Sequence, residues 1–170
     1  MASLMEDFMT ILERENGEYQ RLTELSEEKK QIIIAGDIPA LEEITSREQE
    51  IAGILVNLEN KRREVVNDMS IVLSKKPEEL TITNMIAFLN KQPEEQRKLT
   101  DLRERLRDTL QKMADINGQN EVLLNHAMEM TEFDLTLFRS MHQAPTTANY
   151  DRQANNTGDL LGNGGFDAKQ

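Results

Sequence analysis

The side chains that carry most enzyme chemistry are scarce in this chain of 170 residues. It has two histidines, His126 and His142, and no cysteine. The lack of cysteine excludes disulfides, thiolate metal sites and thiol nucleophiles. A di-iron helical bundle needs two Glu-x-x-His motifs, and neither histidine follows an acidic residue at that spacing.

Two further patterns could suggest chemistry, and both are better explained as ordinary surface. The glycine-rich run Gly162–Gly165 follows no predicted strand and lacks the Lys-Ser/Thr of a phosphate-binding loop. Adjacent acids such as Glu27 and Glu28 do not converge, because neighbours on a helix point in different directions. We therefore predict a non-enzyme without cofactor or metal, which acts by contact with other macromolecules.

Charge narrows the range of those macromolecules. Thirty-one acidic residues against twenty basic ones give a net charge of −11. Binding to nucleic acid requires clustered Lys and Arg, and an anionic membrane repels an acidic chain, so we expect neither. The start of the sequence has no basic segment, and no strictly apolar run in the sequence exceeds five residues, far short of a membrane span. These features predict a cytoplasmic protein without membrane insertion.

Apolar residues recur in steps of three and four over two long stretches, which predicts helices over about 3–35 and 38–73. Between them, Gly36 suits the left-handed end of one helix and Asp37 the N-cap of the next. Such a short connection predicts an antiparallel hairpin.

Polar residues interrupt the apolar seam of this hairpin at matching places. In the second helix they are Glu48 and Arg62, and in the first they are Glu15 and Lys29. Lys29 with Glu48 and Glu15 with Arg62 form opposite-charge pairs whose residue numbers both add up to 77, so a single register serves both. The pairs either select this register or are solvated side chains at the edge of the seam.

The rest of the chain predicts a short helix over about 83–90, capped by Thr83, and a third long helix over about 94–141. The heptad phase continues through Asn117-Gly118, which favours one helix over two. Residues 143–170 are polar and without periodicity, which is typical of a disordered tail. The predicted fold is all-α: an elongated antiparallel hairpin plus a longer third helix over 1–142, as a three-helix coiled-coil-like bundle.

The hairpin and its polar positions resemble the FlgN-type flagellar export chaperones. The resemblance rests on Tyr19, Lys29, Gly36-Asp37, Glu48 and Leu58-Glu59 in their observed order. The connector Leu80-Thr-Ile-Thr-Asn-Met-Ile and the segment from Asn117 to Phe133 are also similar to that family. The resemblance covers residues 4 to about 141.

The resemblance implies a cytosolic chaperone of the flagellar type III export system. Its partners would be hook-associated proteins of the hook–filament junction, whose terminal helices it would hold, and the export apparatus. It also implies that the last helix binds the client and that the tail docks at the export gate, with Tyr150 as the docking aromatic. The alternatives are an adaptor or chaperone of another secretion system and a structural coiled-coil module. Neither the client nor the oligomeric state follows from the sequence.

Helix lengths locate the expected client surface. At about 1.5 Å per residue the third helix is longer than the first two, and it outruns them near Met130. Apolar residues beyond that point occupy more than one side of the helix, which suits a groove for an amphipathic client helix. A second copy of the chain or the connector could instead cover them. The expected client-binding residues are Leu123, Leu124, Met128, Met130, Phe133, Leu137, Phe138 and Met141.

Overall fold

The computed structural model describes residues 2–143, and all its regular structure is helical. The predicted tail, apart from Gln143, and Tyr150 lie outside the described residues. The elements in chain order are α1 (Ala2–Ala35), α2 (Ile38–Leu73), a 3₁₀ turn (Pro77–Glu79), α3 (Ile82–Phe88), a second 3₁₀ turn (Leu89–Lys91) and α4 (Pro93–Gln143). The all-α prediction is confirmed.

The turn between α1 and α2 has the predicted chemistry. Gly36 ends α1 with a φ of +68°, a left-handed conformation that side chains disfavour. The Asp37 carboxylate accepts a hydrogen bond from the backbone N–H of Ala40 at 3.0 Å, which caps α2. A two-residue turn of this kind makes the helices antiparallel neighbours.

Both predicted ion pairs form across the hairpin. The Lys29 Nζ lies 2.7 Å from Oε2 of Glu48, and the Arg62 Nε lies 3.0 Å from Oε1 of Glu15. Both belong to the antiparallel register inferred from the sequence, which is therefore confirmed.

The start of α3 differs from the prediction. Thr81, and not Thr83, caps this helix, because its hydroxyl accepts a hydrogen bond from the backbone N–H of Asn84 at 3.2 Å. A cap binds an N–H group two or three residues ahead, so Thr83 lies too far into the first turn to serve. The Asn84 side-chain amide also donates to the carbonyl of Glu79 at 2.9 Å, which fixes the entry to the helix.

The α4 helix packs along α1 through polar contacts. The Ser26 hydroxyl donates to the Asn117 side chain at 2.9 Å, and the Asn120 amide donates to the Ser26 carbonyl at 2.7 Å. The Lys30 Nζ lies 2.9 Å from the Gln119 carboxamide oxygen. These partners are 91, 94 and 89 residues apart, a nearly constant offset, so α1 and α4 run parallel. α4 passes through Asn117-Gly118 without a break.

Two apolar clusters form the core. The smaller, in the hairpin, contains Leu25, Ile44 and Ile51. The larger brings α1, α2, the connector and the start of α4 together around Met5, Phe8, Leu12, Met69, Leu80, Met85, Leu89, Leu99, Leu102 and Leu106. The chain divides into one unit that ends at Ala127 and another that begins at Met128.

Candidate functional site

Burial along α4 stops well before the helix does. Asn120 is its last buried residue, and Leu123 and Leu124 are half-buried. The offset of 89 residues seen for Lys30 and Gln119 places Ala35, the last residue of α1, level with Leu124. The end of α1 thus explains why burial stops there, six residues earlier than the predicted Met130.

The part of α4 from Met128 to Gln143 is apolar and exposed. Each of its large apolar side chains leaves between 49% and 69% of its surface accessible: Met128, Met130, Phe133, Leu135, Leu137, Phe138 and Met141. Isolated exposed apolar residues are normal on proteins, but seven within fourteen positions form a contiguous surface of the kind that marks an interaction site.

Helical spacing sorts these side chains into two stripes. At 100° per residue, Met130, Phe133, Leu137 and Met141 lie on one side of the helix, and we call them the first stripe. Met128, Leu135 and Phe138 lie on another side and form the second stripe. The remaining side is polar and carries Glu129, Glu132, Thr136, Arg139 and Ser140. A helix with two apolar stripes can contact more than one partner helix.

Polar side chains of this segment find partners on their own helix. The Thr136 hydroxyl donates to the Glu132 carbonyl at 2.9 Å, and the Ser140 hydroxyl donates to the Leu137 carbonyl at 2.7 Å. The ring of His142 lies 4.1 Å from that of Phe138, between centroids, and its Nδ1 is 3.1 Å from the Phe138 carbonyl oxygen. Phe138 is the one stripe side chain that takes part in these contacts, and all stripe side chains are exposed within the described residues.

The structure places the predicted site residues in two groups. Met128, Met130, Phe133, Leu137, Phe138 and Met141 are exposed along one helical segment, whereas Leu123 and Leu124 are half-buried in the other unit. Leu135 belongs to the same exposed surface but was missing from the predicted set, although its spacing of seven from Met128 could have indicated it.

Side chains for metal chemistry do not converge in the described residues. Within 2–143 there is no group of three or more His, Asp or Glu residues that could hold a metal ion. His126 is exposed, and His142 contacts Phe138 as described. No helix in this range is long and apolar enough to cross a membrane.

A helical bundle that presents an exposed apolar helix surface belongs to the class of helical binding proteins. The sequence matches the FlgN protein family over residues 1–158, and the chain is a member of that family. No curated protein and no solved structure matches it. Because FlgN proteins are flagellar export chaperones, generally without enzymatic activity, the chain is a flagellar export chaperone.

Proposed function

We propose that this chaperone binds the terminal helices of hook-associated proteins in the cytoplasm, prevents their premature assembly and delivers them to the export gate. The observation that supports client binding is the exposed apolar surface between Met128 and Met141. An amphipathic client helix can lay its apolar face against such a surface, with anchors three or four residues apart.

The energetics favour contact with both stripes. Full burial of a Phe, Leu or Met side chain contributes ~1.5–3 kcal/mol, so covering the exposed part of the four-residue first stripe contributes on the order of 4–8 kcal/mol. Association of two proteins costs ~4–15 kcal/mol in lost freedom of motion. One stripe alone would therefore bind weakly, and stable capture of a client requires the first and second stripes together.

Methionine suits a surface that accepts more than one sequence. Met128, Met130 and Met141 are all exposed, and their unbranched side chains adapt to differently shaped partners. This favours a chaperone whose single surface serves several related client helices.

Substitution of the first stripe tests client binding. Phe133→Ser with Leu137→Ser should lower the affinity for hook-associated proteins of the same organism by a hundredfold or more, measured by titration calorimetry. Phe133→Ala with Leu137→Ala tests the same contacts with the strongest helix former, so a lost helix cannot explain the effect. The matched control is Glu132→Ser with Arg139→Ser, which changes the polar side without changing the net charge and should bind normally.

Thermal melts decide the interpretation. Exposed side chains contribute little to folding, so both stripe variants should melt within a few degrees of the parent protein. A stripe variant that binds clients normally, or one that unfolds along with its lost binding, contradicts the proposed site.

Delivery to the export gate is the second part of the proposal, and it rests on what membership of the FlgN family implies for the tail. Tyr150 is the proposed docking residue. Tyr150→Ala should leave client affinity unchanged and reduce the secretion of hook-associated proteins into the medium. Normal secretion by this variant would rule out Tyr150 as the docking residue.

A further inference from the structure

A second surface lies in the unit that ends at Ala127, on residues other than the two stripes. It is an open groove of about 530 Å³. Its lining comes from α1, α2, α3 and α4: Leu12, Glu15, Tyr19, Arg62, Ile82, Arg103, Leu106, Arg107, Leu110, Gln111 and Ala114. The groove thus has an apolar part and a cationic part, which we consider in turn.

The apolar part offers a place for one or two aliphatic side chains. Leu12 and Leu106 are buried beneath it, whereas Leu110 leaves 39% of its surface accessible. Ile82 is half-buried beside them. A floor of buried leucines with an exposed leucine at its rim favours apolar ligand groups over water.

The cationic part contains three arginines in a protein whose net charge is −11. Arg62 is neutralised by Glu15 at 3.0 Å. Arg103 and Arg107 lie one helical turn apart on α4, an arrangement that by itself destabilises a helix by ~0.2–0.5 kcal/mol. Two repelling guanidinium groups beside one groove are the arrangement expected of a site for carboxylates.

Arg103 is unusual among the half-buried cations of residues 3–143. The other three have partners: Lys29 binds Glu48, Lys30 binds Gln119, and Arg62 binds Glu15. Arg103 is half-buried without a hydrogen bond or an ion pair in that range. A partly desolvated guanidinium without a counter-charge gains more from an incoming carboxylate than an exposed one does.

Tyr19 adds a hydrogen-bond donor to the same groove. Burial raises the pKa of its phenol above the usual value, and the negative charge of Glu15 raises it further. A phenol is protonated at neutral pH even at its ordinary pKa of about 10, so the Tyr19 hydroxyl can donate a hydrogen bond to an acidic ligand.

We propose that this groove binds a short acidic segment of a partner protein, in which leucine-like side chains enter the apolar part and carboxylates bind Arg103 and Arg107. Charge complementarity identifies the acidic character of the segment, since a planar guanidinium matches a carboxylate with two parallel hydrogen bonds. The apolar floor favours a peptide over a free phosphate. This site is separate from the client surface proposed above and does not depend on it.

A synthetic peptide tests the proposal on the full chain. The probe is acetyl-Glu-Leu-Leu-Glu-Glu-Leu-amide, titrated at physiological salt and followed by NMR through the Arg Nε–H signals and the backbone amides of 103–111. Saturable shifts at these signals are expected. Replacing the glutamates by glutamine, or the leucines by serine, should each weaken binding at least tenfold.

Protein variants separate the arginines from general charge effects. Arg103→Gln with Arg107→Gln should weaken binding of the probe at least tenfold. Arg103→Lys should weaken it less, because lysine keeps the positive charge but lacks the two parallel N–H donors of the guanidinium. The control Lys76→Gln with Lys91→Gln removes two exposed charges outside the groove lining and should change affinity less than twofold.

Three outcomes overturn the proposal. One is the absence of saturable shifts at millimolar probe, and another is equal binding of the glutamine peptide, which would mark a purely apolar groove. The third is competition by inorganic phosphate at the concentration of the peptide, which would mark a simple anion site. Because none of the variants alters Met128–Met141, binding of hook-associated proteins is an independent measurement and its outcome concerns the other surface alone.

Discussion

Arg62 of α2 places its Nε 3.0 Å from Oε1 of Glu15 on α1, and the Glu15 side chain is 7% exposed. A carboxylate at this depth needs a counter-charge, since burying an unpaired charge is costly. The same hairpin carries an exposed pair, Arg47 and Glu28, 3.4 Å apart with about half of each side chain accessible. The two pairs allow a matched comparison.

Removing the arginine from each pair should have different effects on stability. Arg62→Ala leaves Glu15 buried without its partner and should lower the free energy of unfolding by ~1–3 kcal/mol. Arg47→Ala should change it by less than ~0.5 kcal/mol, because exposed pairs contribute little. Urea denaturation followed by circular dichroism measures both. Equal losses in the two variants would mean that the burial of Glu15 does not make its pair more important for stability than the exposed pair.

Adding a side chain at the end of α1 and removing one at the end of α2 should have opposite effects on the stability of the protein. Gly36 and Ser74 both adopt left-handed conformations, with φ of +68° and +51°. Side chains there cost roughly 1–2 kcal/mol, so Gly36→Ala should destabilise the protein and Ser74→Gly should stabilise it. Differential scanning calorimetry gives the sign directly, and shifts in the same direction would contradict the expectation.

Gly118 should be replaceable with a gain in stability. It lies in the interior of α4, and a Cβ added there meets nothing within 4 Å. Gly118→Ala should raise the free energy of unfolding by ~0.5–1 kcal/mol, because alanine loses less backbone freedom on folding. A lower melting temperature for this variant would show that the helix needs flexibility at this point.

Tyr19 should make the free energy of unfolding fall at alkaline pH. Its pKa is raised in the folded protein, by burial first and by Glu15 second, above the value of 10.0 expected for the unfolded chain. The folded state therefore retains the phenol proton longer than the unfolded state. Its contribution to stability is complete below pH 10 and is lost as the pH rises through the folded-state pKa.

The variant Tyr19→Phe isolates this effect from the titration of lysines, which is common to both proteins. Between pH 8 and pH 11 the urea midpoint of the parent protein should fall more than that of Tyr19→Phe. Parallel curves for the two proteins would show that the folded state does not protect the phenol.

The sequence alone determined the hairpin, its turn and its register. The reason is that α1 and α2 are joined by only two residues, so the periodicity of each helix and the charges of Lys29, Glu48, Glu15 and Arg62 leave one consistent pairing. The all-α class followed equally from local patterns, since helix periodicity, glycine stops and caps act within a few residues of one another. Only the cap of α3 was placed two residues late, at Thr83, because Thr81 and Thr83 have the same capping chemistry.

The tertiary structure decided what depends on contacts about ninety residues apart in sequence. The hydrogen bonds of Ser26 to Asn117 and Asn120 set α4 against α1, and this offset places the end of burial at Leu124 and not near Met130. The groove that contains Arg62, Arg103 and Tyr19 likewise joins residues from separate helices. The sequence pattern of no single helix predicts it. Periodicity defines the apolar face of a single helix. Which part of that face is buried depends on where the neighbouring helix ends, and this is a property of the tertiary packing.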